Sequence, residues 1–466
     1  MNVPEAERRR THDYEERPAE VVTERQSEKL SLVSVIAIGM GGMIGAGIFA
    51  LLGVAVSIAG GGVWMAFLLG GAAAVTSAYS FSHLALAYPS RGGAATYVNR
   101  AYVSSMLAGS LNVLLWLGYV VVLSLYAHAF GAYTARLMGL PTDGLAAHAV
   151  MTASVAAFAV LNLVGGRVVG RAEAVLVYAK VLVLVAFAVA GAFSVRTDQV
   201  SFGAFDAGGT VLAAAVLFLA YEGFGLMANT AEEIRDPQRN LPRAFMVAVT
   251  GVVVVYVAVS FVAAGVADQA ALMNAKDYAL AVAAGAVGGS WAFNAIAVTA
   301  VVSTAGSLNA TLYGAARVSY VLGVHGELPR QLGRELWNKP VAGLLVTAGL
   351  VVLVTNTVDL TGISLMGSAS FLIIYAAVNV AAVRLRHETH VRSWISWLAA
   401  CLCVASLAGV VIYAVSRDPL KLLFLVGMIG LAVGVEAVLQ KLRLGSPTGP
   451  NREVGAVAAG NDEDRP

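Results

Sequence analysis

Long apolar runs, broken at nearly regular intervals by short polar segments, set the pattern of this chain. A helix needs about 20 mostly apolar residues to cross a bilayer core, and runs of that length favour helices over barrel strands, which are shorter and alternate in polarity. The pattern predicts spans near 32–59, 63–87, 105–135, 147–164, 170–194, 209–230, 242–266, 290–316, 341–358, 360–383, 394–415 and 420–440. The expected architecture is an all-α membrane protein of about twelve transmembrane helices. It forms one transmembrane domain over 29–444, between tails at 1–28 and 445–466 rich in charged or turn-forming residues and read as disordered.

Composition agrees, with 58% hydrophobic and 12% charged residues, against about 25% charged in soluble domains. The net charge of +2 matters less than where the charges lie. With the N-terminus inside, only Arg136, Arg196, Lys276, Arg417 and Lys421 fall on outer segments; Lys180 lies within a span, and every other Lys and Arg is on an inner segment or tail. That asymmetry predicts a multi-pass cell-membrane protein with both termini cytoplasmic and an even number of spans. The charged start and extended first apolar run do not resemble a cleavable signal.

Enzymatic chemistry finds little support. The seven His are scattered, and Cys401 and Cys403 read as plain packing within the eleventh span. No phosphate-binding loop is present, so the expected activity is secondary transport, with no cofactor, metal or nucleic acid involved. A non-transporting nutrient sensor is the remote alternative.

The apolar pattern breaks in two informative places. The first is Met40-Gly41-Gly42-Met43-Ile44-Gly45-Ala46-Gly47 in span one. Each Gly inside a helix costs about 1 kcal/mol relative to Ala, so several together invite unwinding. The second is Ala220-Tyr221-Glu222-Gly223-Phe224-Gly225 in span six, at similar depth from the opposite side. Paired interruptions of this kind point to a transporter with a midplane site. An unwound segment offers backbone N–H groups to a carboxylate and carbonyls to an ammonium, which suits a zwitterionic amino acid better than a sugar. Two ionisable residues lie deep in apolar spans, Lys180 in the fifth and Glu222 in the sixth, and each is a functional candidate. Trp116, Tyr119 and Tyr221 are candidates to line or cap the pocket.

These stretches carry a family resemblance. Gly41 to Phe49 resembles the first-helix signature of the amino acid–polyamine–organocation superfamily. Phe218 to Gly225, followed by Thr230 to Ala244, resembles its sixth helix and inner loop. Pro89 to Val98 resembles its second-to-third loop, and Ser307 to Tyr320, ending at Gly326-Glu327-Leu328-Pro329, the end of its eighth helix. The resemblance implies five-plus-five inverted repeats with broken helices 1 and 6, two extra helices, and amino acid or polyamine transport by alternating access. It implies that Ile44, Gly45, Ala46 and Gly47 bind a substrate carboxylate, and Ala220, Tyr221, Glu222 and Gly223 the amino group. One position departs from the family: Gly225 stands where many relatives carry an acid, so Glu222 inherits no role and reads as counter-ion, proton relay, gate or a purely structural acid at the turn. In proton-coupled relatives a helix-five lysine replaces the sodium ion of sodium-coupled ones. Lys180 matches that placement and would brace the helix-one carbonyls when protonated. Sodium coupling through Ser303 and Thr304 is the alternative. The oligomeric state stays open.

Overall fold

The computed structural model describes residues 29–444 except 91, 103–104, 143, 165–170, 201–205, 325 and 334–340. Both tails, together with Arg91, Arg167, Arg334, Lys339 and His325, lie outside the described residues. Among those described, ten helical stretches are long and apolar enough to cross a membrane; the first, 32–87, takes in two of the expected spans, and the 17-residue Val341–Thr357 is shorter.

The first span is interrupted. Helix α1 (Leu32–Met43) is capped by Ser31, whose hydroxyl accepts from the Ser34 amide at 3.2 Å, and stops at Ile44. Helix α2 (Gly47–Ala59) starts after Ala46, without a side-chain cap. A glycine turn leads to α3 (Val63–Ala87), then α4 (Ala94–Ala101) and the 33-residue α5 (Ser105–Leu137). Next come α6 (Gly144–Val164), α7 (Arg171–Ala192), the short α8 (Thr197–Val200) and α9 (Ala207–Leu217). The sixth span then changes winding, because Phe218–Thr230 is 3-10 helix for 13 residues. Such runs rarely exceed 3–4 residues and mark hinges or strain.

Helix α10 (Pro237–Val266) opens on its proline, behind Asp236 in left-handed conformation (φ 49°). After α11 (Gln269–Asn274), helix α12 (Ala279–Val324) bends at Gly288 and Gly289. Gly289 adopts φ 65°, open to glycine at no steric cost. The bend explains why the expected eighth span begins at 290, although the helix starts earlier and runs on past 316. The chain closes with α13 (Val341–Thr357), α14 (Leu360–Arg384), α15 (Arg386–Thr389), α16 (Ser393–Arg417) and α17 (Pro419–Leu444).

Helix α5 runs through the bundle and packs on α6, α12, α13, α14 and α17, while α3 lies against α9, α10 and α16. At the N-terminal face, Leu30 pairs with the segment after the sixth span: its amide donates to Glu233 O at 2.7 Å and its carbonyl accepts from Arg235 N at 3.0 Å. Asn112 of α5 donates to Asn99 Oδ1 (2.8 Å) and Glu327 Oε2 (2.9 Å) at the same face.

At the opposite face Asp359 caps α14, accepting from Gly362 N at 3.1 Å, and meets Lys421 Nζ at 3.1 Å. Burial pushes its carboxyl up, but Lys421, the Gly362 amide and Lys276 outweigh this and hold it below the ordinary carboxylate value. A depressed carboxyl stabilises the fold above the unfolded value, and that contribution is lost as pH falls below it through the folded value. Asp359→Ala should therefore lower stability by about 1 kcal/mol at neutral pH, mostly through the lost cap. The gap from wild type should close below about pH 4, as read by thermal melts in detergent. A gap independent of pH would remove the charge from the account.

Candidate functional site

The two interruptions meet backbone to backbone. A Cβ placed on Gly42 would sit 2.8 Å from the Gly223 carbonyl oxygen, and one on Gly47 would sit 2.8 Å from the Ala220 oxygen. Only glycine permits that approach, so the sequence feature that weakens the helix also lets the two spans touch. Ile44, Gly45 and Ala46 leave the helical conformation. The first amides of α2 then have no intrahelical acceptors, by the geometry of any helix start, and the N-cap residue Ala46 supplies no side-chain bond to them. The site is enclosed, with Ile44, Ala46, Ala220, Tyr221 and Glu222 all buried.

Two side chains absent from the sequence-based set join these strands of backbone. Tyr256 of α10 donates its hydroxyl to Met43 O at 2.6 Å, 3.5 Å from Ala220 O, and so ties the two breaks together. A lone tyrosine in the run Val252 to Val259 was the available signal. Ser307 of α12 places its hydroxyl where a side chain on Gly45 would go.

The sequence-based candidates divide. Ser303 donates to Ile44 O, directly at the first break. Thr304 does not join it, because its hydroxyl donates back to Ala300 O of its own helix at 2.7 Å. Tyr221 is buried but turned to α3, donating to Phe67 O at 2.8 Å with its ring 5.3 Å from Tyr256. Trp116 is turned to α13: its indole donates to Thr347 Oγ1 at 3.2 Å, and both side chains are buried. Tyr119 lies nearer the site, its ring 5.8 Å from Phe371 and its hydroxyl within electrostatic reach of Glu222.

Glu222 faces α5 and α14. Its backbone carbonyl accepts from Tyr375 at 2.7 Å, and Tyr119, Tyr126 and Tyr375 all stand within electrostatic reach of its carboxyl. Lys180 approaches from the other side. On α7 the residues turned to the protein form the stripe Val177, Leu184 and Phe187, the spacing of one helix face. Lys180 falls on that stripe and donates to Gly41 O at 3.1 Å, four residues before Gly45.

A second buried acid escaped the sequence reading. Glu436 of α17 is fully buried, with its carboxyl against Gly109 of α5. The rule that singled out Glu222, an acid within an apolar run, also picks out this position.

Comparison with known proteins matches this architecture. The family model described as amino acid permease covers residues 30–433. The chain is 31% identical to the inner membrane transport protein YbaT of Escherichia coli, over 89% of this chain and 97% of that protein. It is 27% identical to cationic amino acid transporter 9 of Arabidopsis thaliana, over 88% of this chain and 77% of that one. Its fold resembles that of the Eremococcus coleocola manganese transporter, with a TM-score of 0.61 at 13% identity, covering 88% of this chain and 94% of that chain. A bundle of apolar helices with its first span broken at a glycine motif, and a family match over nearly the whole described domain, place this chain among the amino acid permeases of the amino acid–polyamine–organocation superfamily, as a membrane transporter.

Proposed function

We propose that this protein carries an α-amino acid across the cell membrane by alternating access, in symport with protons, with both termini in the cytoplasm. The observation that carries this reading is the junction of the two interruptions, where Gly47 at the start of α2 lies against the Ala220 carbonyl and Gly42, near the end of α1, against the Gly223 carbonyl. The amides of a helix start attract a carboxylate, and the carbonyls of a 3-10 stretch, held in poorer hydrogen-bond geometry than those of an α-helix, can accept further from an ammonium. Ile44 to Gly47 take the carboxylate and Ala220 to Gly223 the amino group, without a charged side chain at either end. Tyr256 holds the two halves at their present spacing and must release Met43 or Ala220 for them to part. Lys180 contributes the coupling, through a bond whose strength depends on its proton. Ser303, with Thr304, is the place for sodium in the competing reading.

Competition for uptake into proteoliposomes tests the carboxylate site. The amide and the decarboxylated amine of the best substrate should compete at least about tenfold more weakly than the amino acid, since a charge-assisted hydrogen bond is worth about 1.5–3 kcal/mol. Equal competition by putrescine would overturn the amino acid reading in favour of a polyamine anchored on Glu222. Glu222→Gln then separates that residue's roles: loss confined to cationic substrates marks a counter-ion, and uniform loss a gate or relay.

A further inference from the structure

The corner between α14 and α16, at the N-terminal face, is held rigidly and carries charge of one sign. It is built from the single turn of α15 and from His390 in left-handed conformation (φ 53°), which redirect the chain into the next span. Three bonds fix it to α3 and to Tyr88 just beyond. His83 donates from Nδ1 to Thr389 O at 3.2 Å, Arg392 N donates to the Tyr79 hydroxyl at 3.0 Å, and Tyr88 donates to Glu388 Oε2 at 2.6 Å.

Arg386 and Arg392 are exposed on this corner. Beside them Arg384 lies over the Tyr102 ring, 4.6 Å from its centre, and Arg100 lies over the Tyr88 ring at 5.4 Å. The acid of the corner, Glu388, is the one Tyr88 already bonds. Among the described residues the ion pairs lie at the opposite face, and none includes Arg386 or Arg392. A ligand complementary to this surface is an anion.

The surface next to the arginines is apolar. Trp394 and Trp397, on the first turns of α16, are 64% and 50% exposed. With Cys401 and Val404 they follow the spacing of one helix face, exposed along the span. Indoles at the end of a spanning helix sit at headgroup depth. A soluble anion would meet the arginines and leave that face uncovered. An anionic phospholipid meets both, with its phosphate on the arginines and its chains along the face below.

We propose that this corner binds an anionic phospholipid of the adjoining leaflet, with Arg386 and Arg392 on the phosphate and Trp394 and Trp397 against the glycerol and upper chains. The bonds from α3 order the corner in advance, which lowers the cost of binding. Helix α14 leads from it to Tyr375, whose hydroxyl donates to Glu222 O at 2.7 Å, so the lipid braces a helix of the central site. Neither the substrate nor the coupling ion enters this proposal, and it stands or falls apart from the transport reading.

The test uses the full chain in maltoside micelles, titrated with phosphatidylglycerol or with phosphatidylcholine of the same chains, and counts bound lipid by native mass spectrometry. Phosphatidylglycerol should bind at least about tenfold more tightly, and Arg386→Gln with Arg392→Gln should remove that preference. Arg239→Gln with Arg243→Gln takes the same charge from exposed positions of α10 and should leave the preference in place. Trp394→Ala with Trp397→Ala should weaken both lipids alike. Glycerol 3-phosphate should not displace phosphatidylglycerol at equal concentration. Equal binding of the two lipids, an equal loss from the Arg239 and Arg243 pair, or displacement by glycerol 3-phosphate each overturns the proposal. If the Arg386 and Arg392 pair does not fold, each arginine substituted singly carries the measurement, with a loss of about fivefold.

Discussion

Lys180→Ala should flatten the pH dependence of uptake and uncouple it from an imposed pH gradient. In the present structure the Lys180 ammonium donates to Gly41 O at 3.1 Å, on the last turns of α1 before the break. A hydrogen bond from a charged donor contributes about 1.5–3 kcal/mol, enough to shift a two-state equilibrium by tenfold or more. On the proposed coupling, the protonated side chain would hold α1 against α7, and the neutral one would hold it more weakly and let the half-helix tilt. Alanine removes the bond in both protonation states, so the two states no longer differ. Uptake by the variant in reconstituted vesicles should respond less than wild type to pH, and a proton gradient should no longer drive accumulation. Wild-type uptake that requires sodium and ignores pH would refute the mechanism and move coupling to Ser303 and Thr304.

Gly45→Leu should abolish uptake while leaving the protein folded. Any side chain at Gly45 runs into the Ser307 hydroxyl of α12, beside the bond from Ser303 to Ile44 O. Overpacking of this kind typically costs about 1–3 kcal/mol, a cost a bundle of this size absorbs. Transport is more sensitive, because the leucine must displace Ser307 at the break where substrate would meet backbone and so wedges the joint between α1 and α2. The variant should keep its monodisperse elution and a melting transition, yet lose substrate-induced stabilisation and uptake together. Gly45→Ala, with a single methyl against the same hydroxyl, should give a partial defect. Wild-type uptake by Gly45→Leu would show that substrate does not pass this break.

Much of the fold was legible because a membrane imposes a simple code. Every backbone group within the bilayer must bond within its own helix, so a long apolar run can be only a helix, and its length follows from the bilayer. The runs read at 105–135, 360–383 and 394–415 end within about two residues of helices α5, α14 and α16. The glycine clusters were equally plain, since helix propensity is local, and the chain does leave the α-helix at Ile44–Ala46 and again after Leu217.

Side-chain direction was not legible in the same way. Trp116 and Tyr119 are three residues apart on α5, yet one turns to Thr347 and the other toward Glu222. Ser303 and Thr304 are adjacent, so they cannot share a helix face, and only Ser303 meets the break. Nothing in the apolar run around Tyr256 sets it apart, yet its hydroxyl stands between Met43 O and Ala220 O. The sequence by itself determined the helices, their apolar lengths and the weak points within them, because these depend on hydropathy and on backbone propensity, both properties of short segments. Only the tertiary structure decided which weak points face one another and which hydroxyl, amine or acid reaches them. That depends on how each helix is rotated in the bundle, and a helix apolar on all sides carries little record of its own rotation.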